Sequence, residues 1–483
     1  MTDENATVQL LEEPPLPRKQ KVAYGFGNMA RNILGIAQGG AMTFLYNVKF
    51  GLNYNLVSLA WLIFSIWNAL NNPLFGIIED RTHSKVGRHI PYIRYGAPIY
   101  GTLFVLAWFP FWSDQWGLFI NLLVMLVSFN TLDTMIGLVT FALPAEMTVT
   151  AKNRTNLMLY SVAIGSGGVL LSNLLPLLLL TGNHSPQLNP LFQPTMVVLG
   201  VSCAVTLFVC SFFLKENEFA QREEPLGFIS AIKETFKNPP FLRYLVYSFC
   251  NTIVITAISV GIFYFIDYIL QLSSLFDYVQ LLPLGLAAVI GIFLGPRWVG
   301  RFGAKKVFIF GLAIMGIGFI GTVFAGLAIT GALITLCPAV LGYGVISITG
   351  PAIVADVMDY DEVLTGKRRE TTYAGINALI TKPAIFLATA MFLMISGALG
   401  FDASLTVQTE SAKAGILIGI FLVPGILLLV SAAVFAKFPL DGPAWVEQKR
   451  RLGEIHRQKE LDYLTYLKEK GWLKLDIDAN RST

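Results

Sequence analysis

The sequence predicts an all-α membrane protein, and three observations lead to that prediction: its composition, its apolar segments and the distribution of its positive charges. Of the 483 residues, 54% are hydrophobic and only 14% are charged, with a mean hydropathy of +0.61. Soluble domains carry about 25% charged residues, so most side chains here face lipid or one another. The net charge of +4 is too small to predict nucleic-acid binding, and we expect a lipid bilayer as the surroundings.

A helix that spans a bilayer needs about 20 mostly apolar residues. The chain offers twelve such segments, six on each side of a charged stretch at 215–240 that also carries a short amphipathic helix pattern. We therefore predict a tail (1–22), a six-helix half (23–214), a linker (215–240), a second six-helix half (241–438) and a helical tail (439–483). The predicted spans are 24–48, 55–78, 95–113, 116–146, 157–181, 194–214, 241–269, 277–300, 306–329, 331–355, 372–400 and 412–437.

Lysine and arginine orient a membrane protein because they collect on its cytoplasmic side. All but four of the 35 fall in the N-terminus, the even-numbered connections or the C-terminal tail. The exceptions are Lys49 and Lys413 in odd-numbered connections and Arg31 and Lys382 inside predicted spans. Both termini are therefore predicted to be cytoplasmic, and the N-terminal stretch lacks the apolar core of a cleaved signal peptide.

No pattern in the sequence predicts an enzyme. The four cysteines lie in apolar runs without the spacing of a metal site or a disulfide, and the four histidines are scattered. No phosphate-binding loop is present, so the sequence does not support an ATP-driven pump, and we expect no bound cofactor. The C-terminal tail alternates charged and apolar residues, which favours a helix against the membrane surface or, less strongly, a site for a regulatory partner.

Two charged connections are candidates for gates at the cytoplasmic ends of the helices. One, after the second span, holds Asp80, Arg81 and Arg88 around a glycine. The other, after the tenth span, places four acids before a basic triplet. Ion pairs between such groups can close one side of a bundle and break when that side opens, although the same charges also simply mark the inside. The second set contains Asp356, Asp359, Arg368 and Arg369.

Five runs of sequence carry a resemblance to a known family: YGFG at 24–27, WNALNNP at 67–73, DRTHSKVGR at 80–88, ADVMDYDE at 355–362 and GKRRE at 366–370. Together they resemble the glycoside–pentoside–hexuronide:cation symporters, the family of melibiose permease, over about residues 20 to 440. The resemblance implies the major facilitator fold with twelve helices, in which two halves rock about a midplane site. It further implies cation-coupled transport of a sugar, glycoside or uronide by a functional monomer.

Three positions at which the family carries acids are asparagines in this chain. Asn68 and Asn72 stand where the second helix of the family binds the coupling cation, and Asn32 stands where the first helix binds sugar, after Arg31 in place of a lysine. An amide offers a carbonyl oxygen to Na⁺ but cannot take up a proton. These asparagines are candidates for binding solute hydroxyls or the cation, or they hydrogen-bond neighbouring helices.

Charged residues remain inside the predicted bundle, where burial is costly and function is the usual reason for them. Asp133 lies in the fourth span, and the resemblance relates its position to the cation site. It is a candidate to bind Na⁺, to accept a proton or to pair with Arg31. Lys382 matches the family's lysine on the eleventh helix, with Asp133 or an anionic solute as the expected partner; a structural salt bridge is the alternative.

The remaining candidates carry weaker signals. Arg154 matches a family arginine expected at the inner gate, while Glu146 and Asp267 are interpreted as solvated helix ends. Aromatic residues stack on sugar rings in many binding sites, yet at helical spacing they more often only pack in the core. Four aromatic residues within the predicted spans could stack in this way, and Trp67 and Tyr373 are retained as candidate solute contacts: Trp67, Tyr247, Tyr264 and Tyr373.

Three functions stay open from the sequence. The first is a secondary transporter of a small polar solute coupled to H⁺ or Na⁺, with uncoupled transport as a variant. The second has the same architecture and carries a lysolipid or another amphiphile, as related sodium-coupled transporters do. The third is a non-transporting receptor of transporter ancestry, which the lost acids favour and the retained Lys382 and gate motifs disfavour.

Overall fold

The computed structural model describes residues 15–80, 89–148, 150–182, 187–216, 238–365 and 370–469, together with residues 82, 84, 87, 235 and 236. Within these residues the chain forms helices and no strands. A strand's backbone groups need a partner strand, whereas a helix satisfies them within one segment, and this suits long apolar segments in a bilayer.

Six long helices form the first half. α1 continues directly into a π-helical turn at Leu45–Lys49. The helices are α1 (Arg18–Phe44), α2 (Tyr54–Asp80), α3 (Ile90–Leu106), α4 (Gln115–Met147), α5 (Ala151–Leu180) and α6 (Phe192–Cys210).

The second half also contains six long helices, with one short helix between the first two. α7 ends in a π-helical turn at Phe265–Leu270, and α13 contains another at Ile418–Leu422. The helices are α7 (Pro239–Leu270), α8 (Leu275–Val279), α9 (Leu282–Phe302), α10 (Ala304–Ala325), α11 (Ile329–Thr365), α12 (Glu370–Ala398) and α13 (Glu410–Ala436), and α14 (Pro443–Glu469) follows them.

Side-chain caps fix where several of these helices begin. Asp114, Thr150, Asn238 and Thr409 each accept a hydrogen bond from a backbone N–H three residues further on, at the first turns of α4, α5, α7 and α13. Such a cap satisfies a donor that the first turn of a helix leaves without a partner. The polar residues between the apolar runs therefore position the helices as well as separate them.

Among the described residues, the most extensive contacts between the two halves are those of α1 with α7 and of α2 with α12. We call the end of the bundle that holds the first turn of α1 and α14 the terminal end, and the opposite end the distal end. α1 and α7 run in the same direction, because Gly40 approaches Ser259 and, further along both helices, Asn47 bonds Tyr264. The distal end therefore contains the last turns of both α1 and α7.

Nine helical segments among the described residues are long and apolar enough to cross a membrane: α4 to α7, α8 with α9, and α10 to α13. The first three long helices are not among them. α3 has only 17 residues, and α1 carries Arg31, Asn28 and Asn32 along its length. A chain with several such apolar helices is a multi-pass membrane protein, and the prediction of twelve spans remains a prediction.

Two predicted boundaries differ from the observed helices. The third predicted span, 95–113, is displaced, because α3 begins at Ile90, directly before a proline, and ends at Leu106. A proline is well tolerated in the first turn of a helix, where its missing N–H is not needed. α11 continues ten residues past the predicted end at 355, and its extension includes the buried carboxylates Asp361 and Glu362.

α14 packs against the extended end of α11. Lys449 Nζ lies 2.5 Å from Asp356 Oδ1, and His456 Nε2 lies 2.7 Å from Glu362 Oε2. Trp445 is buried, and its ring lies 6.1 Å from that of Tyr360 on α11. The tail helix therefore contacts the protein itself, through charged groups of the predicted gate region.

Candidate functional site

An ion pair joins α1 to α4 inside the first half. Arg31 Nη2 lies 3.3 Å from Asp133 Oδ1, and the two side chains are 27% and 23% exposed. The hydroxyl of Tyr100 on α3 donates to the same carboxylate oxygen at 2.9 Å. Asp133 therefore has two donors and remains partly exposed, as a group that binds a solute or a cation must.

Two glycines make room for this pair. A Cβ on Gly137 would lie 2.7 Å from Arg31 Nη2, and a Cβ on Gly35 would lie 3.2 Å from Asp133 Oδ1. Both glycines lie within helices, where glycine is less favourable than alanine by about 1 kcal/mol. Their presence is explained by the space that the charged side chains occupy.

The second half contributes Lys382 to the same region. From α12 its Nζ donates to the backbone carbonyl of Asn68 on α2, at 2.5 Å. Its charge also interacts with that of Asp133. The group thus contains two cations and one carboxylate, contributed by both halves of the bundle.

The amides around this group are held by neighbouring helices. Asn68 and Asn71 are buried, and the Asn71 amide donates to the backbone carbonyl of Asn130 on α4 at 3.2 Å. Asn32 lies against Gly165 of α5, where its Nδ2 is 3.5 Å from the position of a Cβ. The side chain of Asn72 lies outside the described residues. The Asn71 amide therefore makes a polar contact between α2 and α4, of the kind that stabilises helix packing in membranes.

The two aromatic candidates lie in different places. The Trp67 indole is partly buried and donates to the Thr131 hydroxyl at 2.9 Å, on the α2 side of the charged group. Tyr373 is 1% exposed, packs edge-on against Phe241 and accepts from Asn238 at 3.0 Å. It lies in the first turn of α12, about 13 Å along the helix from Lys382. The structure therefore does not bring Tyr373 to the charged group.

Most of the predicted gate lies outside the described residues. Arg81, Arg88, Arg368 and Arg369 are not among them, nor is the side chain of Asp80. Of the other gate candidates, Arg154 is exposed in the first turn of α5, Asp359 is half-buried on α11, and Asp356 pairs with Lys449 of α14.

Glu146 is not a solvated helix end, and the interpretation from sequence is wrong at this position. One of its oxygens lies 2.5 Å from His89 Nδ1, and its side chain is 19% exposed. Glu216 approaches the same imidazole at 3.8 Å and accepts from the backbone N–H groups of His89 and Ile90. The three side chains offer ligand atoms within 4.8 Å of one another. The contacts of His89 with the two carboxylates, and the backbone N–H groups that Glu216 caps at the start of α3, account for this cluster. It connects α3, α4 and the chain after α6.

Asp267 is not a solvated end either. Its side chain is fully buried at the distal end, where Oδ1 accepts from the Gly182 backbone N–H at 2.8 Å and Oδ2 lies 4.0 Å from Lys49 Nζ. Lys49 is one of the two cations that fall in odd-numbered connections, and this exception was the signal in the sequence that could have pointed to the pair.

The comparisons with known proteins agree with this architecture. The sequence model of the family described as MFS/sugar transport protein matches residues 23–442. The chain belongs to this family. Within the curated proteins it is 25% identical over 419 residues to the putative glycoside/cation symporter YagG of Escherichia coli (strain K12), which covers 85% of this chain and 90% of that protein.

A second relative and a solved structure extend the comparison. The glucuronide carrier protein homolog of Escherichia coli (strain K12) is 24% identical over 436 residues, with 88% of this chain and 93% of that one covered. The crystal structure of a D-xylose-proton symporter superposes with a TM-score of 0.60 at 16% identity, covering 87% of this chain and 97% of that one. This member of the MFS/sugar transport protein family is a secondary transporter and not an enzyme, and the structural likeness shows the fold.

Proposed function

We propose that this chain transports a small polar solute by alternating access, as a functional monomer in the cell membrane with twelve spans. In this proposal the two halves are residues 23–214 and 241–438, and the terminal end with both chain termini is cytoplasmic. The distribution of lysine and arginine supports that orientation. The cross-half helix pairs α1–α7 and α2–α12 support two halves that move against each other.

The solute is a sugar, glycoside or uronide, and an anionic uronide fits the site best. One observation carries this preference: among the described residues, the buried Arg31 Nε has no hydrogen-bond partner. A guanidinium recognises a carboxylate through two parallel N–H donors, and Nε supplies one of them. Arg31 and Lys382 bring two positive charges to this group and Asp133 brings one negative charge, which favours an anionic solute.

Coupling to H⁺ or Na⁺ is assigned to Asp133, with Asn68 and Asn72 as further oxygen donors for Na⁺. Asp133 is the carboxylate of the charged group and is partly exposed, so a cation can exchange with it. We expect an Asp133→Asn variant to lose the pH or Na⁺ dependence that the parent shows in proteoliposome uptake. An unchanged dependence would show that the coupling site lies elsewhere.

Counterflow in proteoliposomes tests the solute class with a panel of a hexuronide, a neutral glycoside and a lysolipid. We expect counterflow of the hexuronide, and loss of it in Lys382→Met, because an anion loses one of its two cationic partners. Lys413→Met is the matched control, since Lys413 pairs only with the exposed Glu410 among the described side chains. Unchanged hexuronide counterflow in Lys382→Met, or counterflow of the lysolipid alone, would refute this assignment.

A further inference from the structure

A buried ion pair connects the two halves at the distal end. Lys49 lies in the π-helical turn after α1, and Asp267 lies in the π-helical turn that ends α7. Their side chains are 2% and 0% exposed, and the Nζ to Oδ2 distance is 4.0 Å. π-helical turns often mark functional positions, and here one occurs at the equivalent end of the first helix of each half.

The pair lies in a contact that excludes water. The Lys49 ammonium is 5.6 Å from the centre of the Phe44 ring, which stacks on Phe263 across the α1–α7 interface. Beside it, the Tyr264 hydroxyl donates to Asn47 at 2.8 Å, again between the halves. Deeper in the bundle the two helix backbones approach each other at Gly40.

A third element joins this contact. The Gly182 backbone N–H, just past the end of α5, donates to Asp267, and the neighbouring Thr181 hydroxyl bonds that of Tyr278 at 2.5 Å. α1 and α5 of the first half are thus both held to α7 and α8 of the second. The Asp267 carboxylate contacts both elements of the first half, through Lys49 after α1 and through the Gly182 N–H after α5.

A buried ion pair suits a contact that must open and close. Moving both charges out of water costs about as much free energy as their attraction returns. The state with the pair closed therefore has a free energy close to that of the open state, in which both groups are hydrated. A pair of apolar side chains of the same size would favour the closed state strongly. Removing one partner has a different effect, because the remaining charge stays buried without compensation and favours opening.

We propose that Lys49 and Asp267, with the Gly182 N–H, form the distal gate of the transporter: the pair closes the distal side and breaks when that side opens. This proposal rests on the alternating access proposed above, and it assigns the pair to access and not to solute binding. The charged group around Asp133 lies deeper in the bundle and uses different residues.

Thiol labelling tests the gate without any knowledge of the solute. The four native cysteines are replaced, and Ser259→Cys is introduced on α7, where it faces Gly40 about 12 Å inward of Asp267. A membrane-impermeant maleimide is then applied to the outside of intact cells. Ser404→Cys, in the exposed connection before α13, measures the labelling of an open position.

The decisive variant is Asp267→Asn, because the amide keeps the volume and can still accept from Gly182 while the charge is lost. We expect Ser259→Cys to be labelled about tenfold faster or more in this variant. Asp402→Asn, which removes an exposed acid at the same end, is the matched control and leaves the rate unchanged. In the double variant Lys49→Met/Asp267→Leu the rate stays at or below that of the parent.

Labelling of Asp267→Asn at the parent's rate, or an equal increase in Asp402→Asn, would overturn the gate. So would a double variant that is labelled as fast as Asp267→Asn, since the effect would then not come from an uncompensated charge. Failure of hexuronide counterflow would refute the solute assignment and would leave these labelling rates unchanged. The two proposals therefore fail in different experiments.

Discussion

The two ends of the bundle differ in the polar contacts that their described residues make. At the distal end, buried polar contacts pass between the halves. In the π-helical turn after α1, Lys49 forms an ion pair with Asp267 of α7, and Asn47 accepts a hydrogen bond from Tyr264 of α7. At the terminal end, the polar contacts between described residues stay within one half or attach α14, as the pair of Lys449 and Asp356 does.

For the protein to change its open side, only some of these contacts must break. Contacts within a half move with that half and do not oppose rocking, whereas contacts between halves must be separated. In the described residues the second kind lies at mid-depth, through Lys382 and Asn68, and at the distal end. Among the described residues, the distal side is therefore closed by contacts between the halves, which include the pairs Lys49–Asp267 and Asn47–Tyr264.

The largest effect on the closure of the distal end is expected from Gly40→Ala. A Cβ there would lie 1.8 Å from the Ser259 carbonyl oxygen, so α1 and α7 must separate by about 1.5 Å to reach normal contact. Overpacking of this kind costs about 1–3 kcal/mol. Spin labels on Ser113→Cys and Ser404→Cys, which lie on opposite halves at the distal end, should report a longer distance by electron paramagnetic resonance.

Gly27→Ala is the control for that experiment. Gly27 is also within α1, near the terminal end, and a Cβ there would lie 3.9 Å from the Cβ of Cys210, an ordinary contact. Alanine is the better helix former, so this variant keeps the parent's distal distance and stability. A distal distance that is unchanged in Gly40→Ala, or equally changed in both variants, would contradict the close-approach argument.

A smaller effect is expected from Tyr264→Phe, which removes one neutral hydrogen bond between the halves while Asn47 keeps its bond to the Leu52 carbonyl. A hydrogen bond of this kind contributes about 1 kcal/mol, which is about fivefold in a population. The labelling rate of Ser259→Cys should rise by about that factor.

Tyr373→Phe removes a comparable buried hydroxyl at the terminal end, where its partner Asn238 belongs to the same half. Because that contact moves with its half, the labelling rate should not change. If both tyrosine variants accelerated labelling equally, the distinction between contacts within and between halves would have no consequence for opening.

The sequence predicted most of the helices because the bilayer fixes the length and the apolarity of a spanning segment. It located Arg31, Asp133 and Lys382 for a similar reason: ionisable residues inside apolar runs are rare and conspicuous. Helix ends were less predictable, since α11 extends through acids that are stabilised by α14, a segment far away in sequence.

The interaction partners of the charged side chains were the least predictable feature. Asp267 and Glu146 looked like ordinary helix ends, and only the packing of distant segments shows that each meets a basic group, Lys49 and His89 respectively. The period of a helix says which residues share one of its faces, and it contains no information on which other helix lies against that face. The charge of a residue was visible in the sequence, whereas its burial was not.

The smallest effect on the distal end is expected from Lys449→Ala, which acts at the terminal end. Its partner Asp356 is 8% exposed and loses its ammonium, so the attachment of α14 to α11 weakens. Hydrogen exchange in α14 should accelerate by about tenfold, because local opening then costs less. The distal spin-label distance should stay at the parent's value, since no contact between the halves is removed.

Glu447→Gln is the control that distinguishes detachment of α14 from α11 from unfolding of α14 itself. Glu447 pairs with Arg450 and Arg451 along the exposed face of α14, and these hydrogen bonds lower the pKa of Glu447 to about 2. Exposed pairs contribute little to stability, so exchange in this variant should remain close to that of the parent. Equal acceleration in both variants would mean that exchange reports fraying of α14 itself. Only a selective effect of Lys449→Ala would establish that the ion pair to Asp356 holds the helix on α11.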